Sequence, residues 1–131
     1  MTLVDTNVLL DVLLEGARHG DESEGRLAAA LRAGPVVVND VIAAELAPLF
    51  DGEADLWRVL ASAQIQHVPY PRPAIYIAGQ AFLRYRRGGG ARHRIMPDFM
   101  IGAHAVVSGA RLLTRDRGFY RSRFPGLRLA R

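Results

Sequence analysis

The sequence predicts an α/β fold, a central parallel sheet with helices on both faces. Two observations carry this. Short apolar runs, such as VVV at residues 36–38 and LL at 112–113, alternate with longer segments that have helical spacing. The runs are apolar throughout rather than alternating, as strands buried on both faces must be. The chain has 131 residues and half of them are hydrophobic, enough for one core, so residues 1–131 are read as a single domain.

The elements follow in order. Leu3 to Asp5 reads as a short buried strand, its sheet edge starting at Thr2 and its end marked by the acid. Asn7 to Leu14 places Val8, Leu9, Val12 and Leu13 at helical spacing, and the Gly16–Gly20 stretch breaks that helix. Ser23 to Arg32 is an alanine-rich helix stopped by Gly34, and Val36 to Val38 is a β-branched second strand. Asn39 or Asp40 can cap the next helix, Val41 to Phe50. Asp55 to Ala63 is another helix, and Ile65 to Val68 a third strand. Pro71 to Pro73 leads into a helix from Ala74 to Arg86, followed by the flexible run Gly88–Gly90. Pro97 opens a helix that runs to Ser108 and is closed by Gly109. Arg111 to Thr114 is a fourth strand, and Leu127 to Leu129 finishes the sheet.

Charge divides the chain. Met1 to Trp57 holds 11 acids and 3 arginines, a net of −8, whereas Arg58 to Arg131 holds 2 acids and 14 arginines, a net of +12. A basic half suits an anionic partner, nucleic acid above all; an acidic protein partner, or the chain's own acidic half, would satisfy it too. There is no cysteine, which excludes disulfides and thiolate metal sites and fits a reducing cytoplasm. The first strand starts at Thr2 with no basic and apolar leader segments ahead of it, so no secretory signal is expected, and the longest mostly apolar stretch without arginine, Ile95 to Ala110, contains Asp98 and His104 and is not read as a membrane span.

Within the basic half the two acids, Asp98 and Asp116, stand out, because both adjoin strongly apolar segments. In parallel sheets ligands bind beyond the carboxyl ends of the strands. Asp5 ends the first strand, Asp116 lies just after the fourth, Asp98 is in the first turn of the helix feeding it, and Glu45 follows the second strand. The four can meet at one edge of the sheet. Crowded carboxylates repel one another, so such a cluster needs shared protons or a cation. Oxygen-only ligands suit Mg²⁺ or Mn²⁺, which can activate a bound water against a phosphodiester. Each acid also has a plainer use: a helix start for Asp5, a solvent face for Glu45, a helix-dipole partner for Asp98, a turn for Asp116.

Other residues are read similarly. Arg84, Arg86, Arg87, Arg92 and Arg94 flank the glycine run, with Tyr85 open to base stacking, and are candidate phosphate contacts. Arg115 and Arg117 beside Asp116 can contact RNA or neutralise the acids. His104, on an almost wholly apolar helix, is a packed core residue. Asp11 is assigned to the surface, and Phe119, Tyr120 and Phe124 to core or dimer packing.

MTLVDTNVLLDVL, VVVNDVIAAEL, IMPDFMIGAHAV and RLLTRDRGFY resemble, in this order, the motifs of PIN-domain ribonucleases, and more narrowly the VapC toxins of toxin–antitoxin pairs. The likeness covers most of the chain but leaves Pro69 to Arg94 without a catalytic motif. It implies a doubly wound α/β/α fold and a metal-dependent endoribonuclease using Mg²⁺ or Mn²⁺. It implies an acidic site of Asp5, Glu45, Asp98 and Asp116 supported by Asn7 and Thr114, while Arg87, Arg92, Arg94, Arg115 and Arg117 are candidate RNA contacts from the residues themselves. It further implies a homodimer and a cognate VapB-like antitoxin. The alternatives are a non-catalytic PIN-like RNA- or protein-binding module, a phosphatase with an aspartyl nucleophile, disfavoured by Asn7 where a second aspartate is usual, and a structure-specific DNA nuclease.

Overall fold

The computed structural model describes residues 1–89 and 94–131. β1 (Thr2–Val4) leads into α1 (Thr6–Leu13) and α2 (Gly20–Ala33), then β2 (Val36–Val38), α3 (Asp40–Leu46) and a 3₁₀ turn at Ala47–Leu49. α4 (Glu53–Ser62), β3 (Ile65–His67), α5 (Arg72–Arg87), α6 (Met96–Ser108), β4 (Arg111–Leu113), α7 (Arg117–Arg123) and β5 (Arg128–Leu129) follow. Among the described residues the strands form one five-stranded sheet, ordered β3-β2-β1-β4-β5, and every pairing is parallel.

The chain winds outward from β1 to β3, returns over the sheet to β4 and continues to β5 on the other side. Right-handed crossovers therefore put α1–α4 on one face and α5–α7 on the other. The packing within each set agrees, with α1 against α2 and α3 and α5 against α6, while α3 also meets α6. The reversal of direction falls between β1 and β4, in register Leu3 to Leu112 and Val4 to Leu113. Their carboxyl ends open a crevice there, the usual ligand position in a doubly wound sheet.

β1 is the middle strand, and Leu3 and Val4 are fully buried, as are Val38, Leu112 and Leu113 on its neighbours. Burial on both faces explains the unbroken apolar runs. Phe99 of α6 is also fully buried and packs edge-on against Phe82 and Phe119, anchoring α7 to α6. Gly102 admits the Phe124 ring at a point where any Cβ would lie 2.4 Å from it. Gly109 stops α6 in the left-handed region, at φ 69°.

Several elements differ from expectation. The helix expected over Val41–Phe50 ends at Leu46 and tightens into the 3₁₀ turn around Pro48, which has no N–H to continue the ladder. α4 begins at Glu53 rather than Asp55, and α2 at Gly20 rather than Ser23. α7 was not anticipated at all. Its seven residues include four that are charged or hydroxylic on the outside, and only Phe119 and Tyr120 are buried, so its period is too short to read. Of the two candidate caps, Asn39 is the one used, its Oδ1 accepting from the Ile42 N–H at 2.9 Å.

Candidate functional site

Asp5 closes β1 and caps α1. Its Oδ1 accepts the Thr6 N–H at 2.7 Å, and its Oδ2 accepts the Thr114 hydroxyl at 2.8 Å and the Asn7 amide at 3.4 Å. The Tyr120 hydroxyl also donates to it. Every one of these donors is neutral, while the residue is only 6 % exposed. Burial pushes the Asp5 carboxyl up to about 6, beyond what its hydrogen bonds recover, and the charge of Asp98 adds to the rise.

Thr114, at the end of β4, ties the crevice together. It is buried, donates to Asp5, accepts the Asp116 N–H at 3.0 Å and lies 3.3 Å from the Asn7 amide. Asn7 returns the link, its Oδ1 accepting the Arg115 N–H at 3.2 Å. The two expected supporting residues therefore join β1 to β4 at the carboxyl edge.

Asp98, at the start of α6, receives the Ile95 N–H at 3.4 Å, which uses its position near the positive helix end. Asp5, Asp98 and Asp116 all act on one group, the Tyr120 hydroxyl of α7, whose ionisation burial and these three charges together strongly oppose. Tyr120 is 1 % exposed, so its ring belongs to the core as expected while its hydroxyl serves the acids. A buried tyrosine must find a partner for its O–H; that was the available signal, and composition alone did not say which partner.

Asp116 is not bare. Both of its oxygens are gripped by the Arg94 guanidinium, Nη1 to Oδ2 and Nη2 to Oδ1, the second at 3.2 Å. Arg94 also stacks over the Phe119 ring, 4.2 Å from its centroid. The acid pair raises the arginine's affinity for its proton, with Asp98 contributing.

Glu45 stands apart. It is exposed on α3, and its Oε1 accepts the Thr6 hydroxyl at 2.6 Å. Thr6 is the neighbour of Asp5, so Glu45 reaches the crevice through one intermediary. Thr6 was not singled out from sequence, and its place between two acids had no sequence signal.

Asp11 corrects the surface assignment. It is 7 % exposed and accepts from Ser23 Oγ at 2.6 Å and from Arg115 Nε and Nη2 at 2.6 and 3.1 Å. Those partners hold its carboxyl below the usual range despite burial. Arg115 is thus committed to Asp11 rather than to Asp116. Arg117 donates to the Ala130 carbonyl, and its proton affinity is lowered by burial and by nearby Arg121 and Arg26. Arg87 is exposed at the end of α5. Arg92 lies outside the described residues. Tyr85 is buried and covered by Arg123, so it offers no stacking platform. His104 is buried as expected, its Nδ1 3.0 Å from the Asn39 amide.

The donor chemistry of Asp5, Asp98 and Asp116 fits a hard divalent cation: carboxylate oxygens, with Asp5 buried and held by neutral donors among the described residues. Among the described residues no three His, Asp or Glu side chains are grouped so as to bind a metal ion. Both oxygens of Asp116 are occupied by Arg94. Among the described residues, too, no helix is long and apolar enough to cross a membrane.

The family model for the PIN domain matches residues 2–125. No curated protein matches the chain. Solved structures do. The VapBC2 complex of Rickettsia felis bound to a promoter DNA fragment superposes with a TM-score of 0.71 at 17 % identity, covering 98 % of this chain and 96 % of that one. VapBC-1 of nontypeable Haemophilus influenzae gives 0.71 at 16 %, covering 98 % and 95 %. FitAcB of Neisseria gonorrhoeae gives 0.64 at 20 %, covering 100 % and 97 %. At such identities the likeness is one of fold.

Proposed function

The chain belongs to the PIN-domain family, and from that premise we propose that it is a metal-dependent endoribonuclease, a VapC-like toxin restrained by a cognate VapB-like antitoxin in the cytoplasm. The carrying observation is Asp5: a buried carboxylate held by neutral donors, in electrostatic contact with Asp98, and pushed up to about 6. The charged form of such a group costs stability, and perturbed carboxylates in a crevice are candidate functional groups.

In this reading Asp5, Asp98 and Asp116 hold Mg²⁺ or Mn²⁺, and Glu45 lies at the margin. The cation, when bound, supplies a water of lowered pKa and charge stabilisation for the departing oxygen. The protein's own residues do the rest. Asn7 and Thr114 keep the Asp5 carboxylate oriented, and the Tyr120 hydroxyl favours its charged form. Arg87, Arg92, Arg94 and Arg117 are the proposed contacts to RNA phosphates. Arg115 is the weakest of the set because Asp11 already engages it. The exposed Ile75, Tyr76 and Leu83 on α5 support a homodimer through that helix, which sedimentation of the purified chain would check.

A non-catalytic PIN-like binding module is the second reading, favoured by the guanidinium on Asp116. Cleavage of a total-RNA pool with Mg²⁺, Mn²⁺ or EDTA, by wild type and Asp98→Asn, separates the two. Discrete metal-dependent fragments that vanish in the variant support the nuclease. Tight RNA binding without cleavage by folded wild type supports the module.

A further inference from the structure

We propose that Arg94 is the resident counter-ion of the acid site. It occupies Asp116 while no divalent cation is bound, and it surrenders that carboxylate, to become a phosphate ligand, when one is. The inference rests on the nuclease reading for the identity of the incoming cation and on the Arg94 geometry for everything else.

Three features carry it. First, the grip is bidentate, one N–H to each Asp116 oxygen, so the carboxylate presents its whole front to the arginine. A cation approaching Asp116 from the crevice must take at least one of those oxygens. Second, Arg94 feels Asp98 as well as Asp116, so its charge serves two of the three acids that act on Tyr120. Removing it without a replacement would leave those acids to repel each other. A divalent ion brings twice the charge and makes the arginine redundant at that position. Third, the pair can open. The Arg94 side chain is 22 % exposed and the Asp116 side chain 33 %, whereas in the other pair Arg115 is 37 % exposed but the Asp11 side chain only 8 %, and Asp11 is also held by Ser23. The Phe119 face under the guanidinium gives it a resting surface that does not depend on Asp116. Once released, the arginine keeps its charge and its fork of donors at the rim of the crevice, matched to a phosphodiester.

The role makes a paired prediction of opposite signs. Without the competitor, Asp116 should take metal more readily, while RNA should lose a contact. The experiment titrates Mn²⁺ into the metal-free full chain by calorimetry, for wild type, Arg94→Gln and Arg94→Lys. In parallel it measures the affinity of a 2′-O-methyl RNA, which resists cleavage at the modified positions, with Mn²⁺ saturating. Arg94→Gln should bind Mn²⁺ about tenfold or more tightly and the RNA about tenfold more weakly. Arg94→Lys, which keeps the charge but not the fork, should fall between wild type and Arg94→Gln in both. Unchanged or weaker Mn²⁺ binding by folded Arg94→Gln overturns the proposal, as does failure of every protein to bind Mn²⁺, which also removes the nuclease reading. Should Arg94→Gln fail to fold, Arg94→Lys decides alone: tighter Mn²⁺ binding with weaker RNA binding supports the exchange, and unchanged Mn²⁺ binding overturns it. Tighter Mn²⁺ binding in the variants with no RNA cleavage by any of the three would uphold the exchange and sink the nuclease.

Discussion

Asp5 and Asp11 lie six residues apart, one at the start of α1 and one within it, and are nearly equally buried, at 6 % and 7 % exposure. Their electrostatics are opposite. Burial raises Asp5 to about 6, while Asp11 is held below the usual carboxylate range. The difference is the partner. Asp11 has a guanidinium in bidentate contact and a serine hydroxyl; among the described residues Asp5 has an amide, two hydroxyls and a backbone N–H. A buried acid with its own cation is part of the fold's structure. A buried acid without one is a cost that the fold carries, and the costly acid marks the place where a cation is expected from outside.

The sharpest way to break this comparison is to neutralise each acid in turn. Asp5→Asn should lower RNA cleavage by on the order of a hundredfold or more, the scale for losing a group that acts on the reacting centre. Its thermal stability without metal should be unchanged or higher, because asparagine ends the burial of an unpaired charge. Asp11→Asn should do the reverse, keeping cleavage within a few-fold and costing about 1–3 kcal/mol of stability through the lost charge-assisted bonds to Arg115. Cleavage assays beside thermal unfolding of the two variants check it; a metal-free Asp5→Asn protein far less stable than wild type would show that Asp5 is structural after all.

The pH dependence sharpens it further. Asp5 rises from 3.8 to about 6 on folding, so the folded state binds its proton more tightly than the unfolded chain. Its contribution to stability therefore falls as pH rises from about 4 to about 6, by up to about 3 kcal/mol. Asp11 runs the other way: its stabilisation is present above its unfolded value and fades as the medium is acidified. Unfolding of metal-free wild type and Asp5→Asn across pH 4–7 isolates the first effect, since the variant should gain on wild type up to pH 6 and then hold level. Mn²⁺ should stabilise wild type more at pH 7 than at pH 5, where protons compete for Asp5.

This contrast also explains what could be read in advance. The strands β1, β2 and β4 were legible because each is an apolar run buried on both faces, and the crevice was legible because Asp5, Thr114 and Asp116 fall just beyond such runs. Asp11 was misplaced because helical spacing says which face a residue shares, not what the neighbouring helix brings to it; Ser23 is 12 residues away and Arg115 104. The Arg94 grip on Asp116 spans 22 residues, including the whole of α6 and β4, and no periodicity connects them. Tyr120 was legible as core by its hydrophobicity, but its second duty depends on where one oxygen points. Pairings of charge across the fold are set by tertiary packing, which a pattern along the chain does not encode.

A smaller effect is expected at the hydroxyl that serves both sides of the crevice. Thr114→Val removes a donor 2.8 Å from Asp5 and the acceptor of the Asp116 N–H. That donor favours the charged carboxylate, so its loss should push Asp5 higher still. The acidic limb of the cleavage profile should shift upward by about one pH unit, with the plateau at alkaline pH within about tenfold of wild type. An unshifted limb would mean that a group other than Asp5 sets it.

The smallest effect should be at Glu45, and it tests the comparison from the exposed side. Glu45 keeps its contact with water, so unlike Asp5 it needs no cation to offset burial, and its link to the crevice passes through the Thr6 hydroxyl at 2.6 Å. Glu45→Gln preserves the oxygen that Thr6 donates to and removes only the charge. Cleavage should fall less than about tenfold and Mn²⁺ affinity less than about threefold, the scale of an exposed charge acting through solvent. Thr6→Val, which frees the Glu45 side chain without touching the charge, should match it within that margin. A loss at Glu45→Gln as deep as that at Asp5→Asn would mean that α3 brings its carboxylate into direct contact with the reacting centre during turnover, and that exposure in the resting protein is a poor guide to which acids a cation recruits.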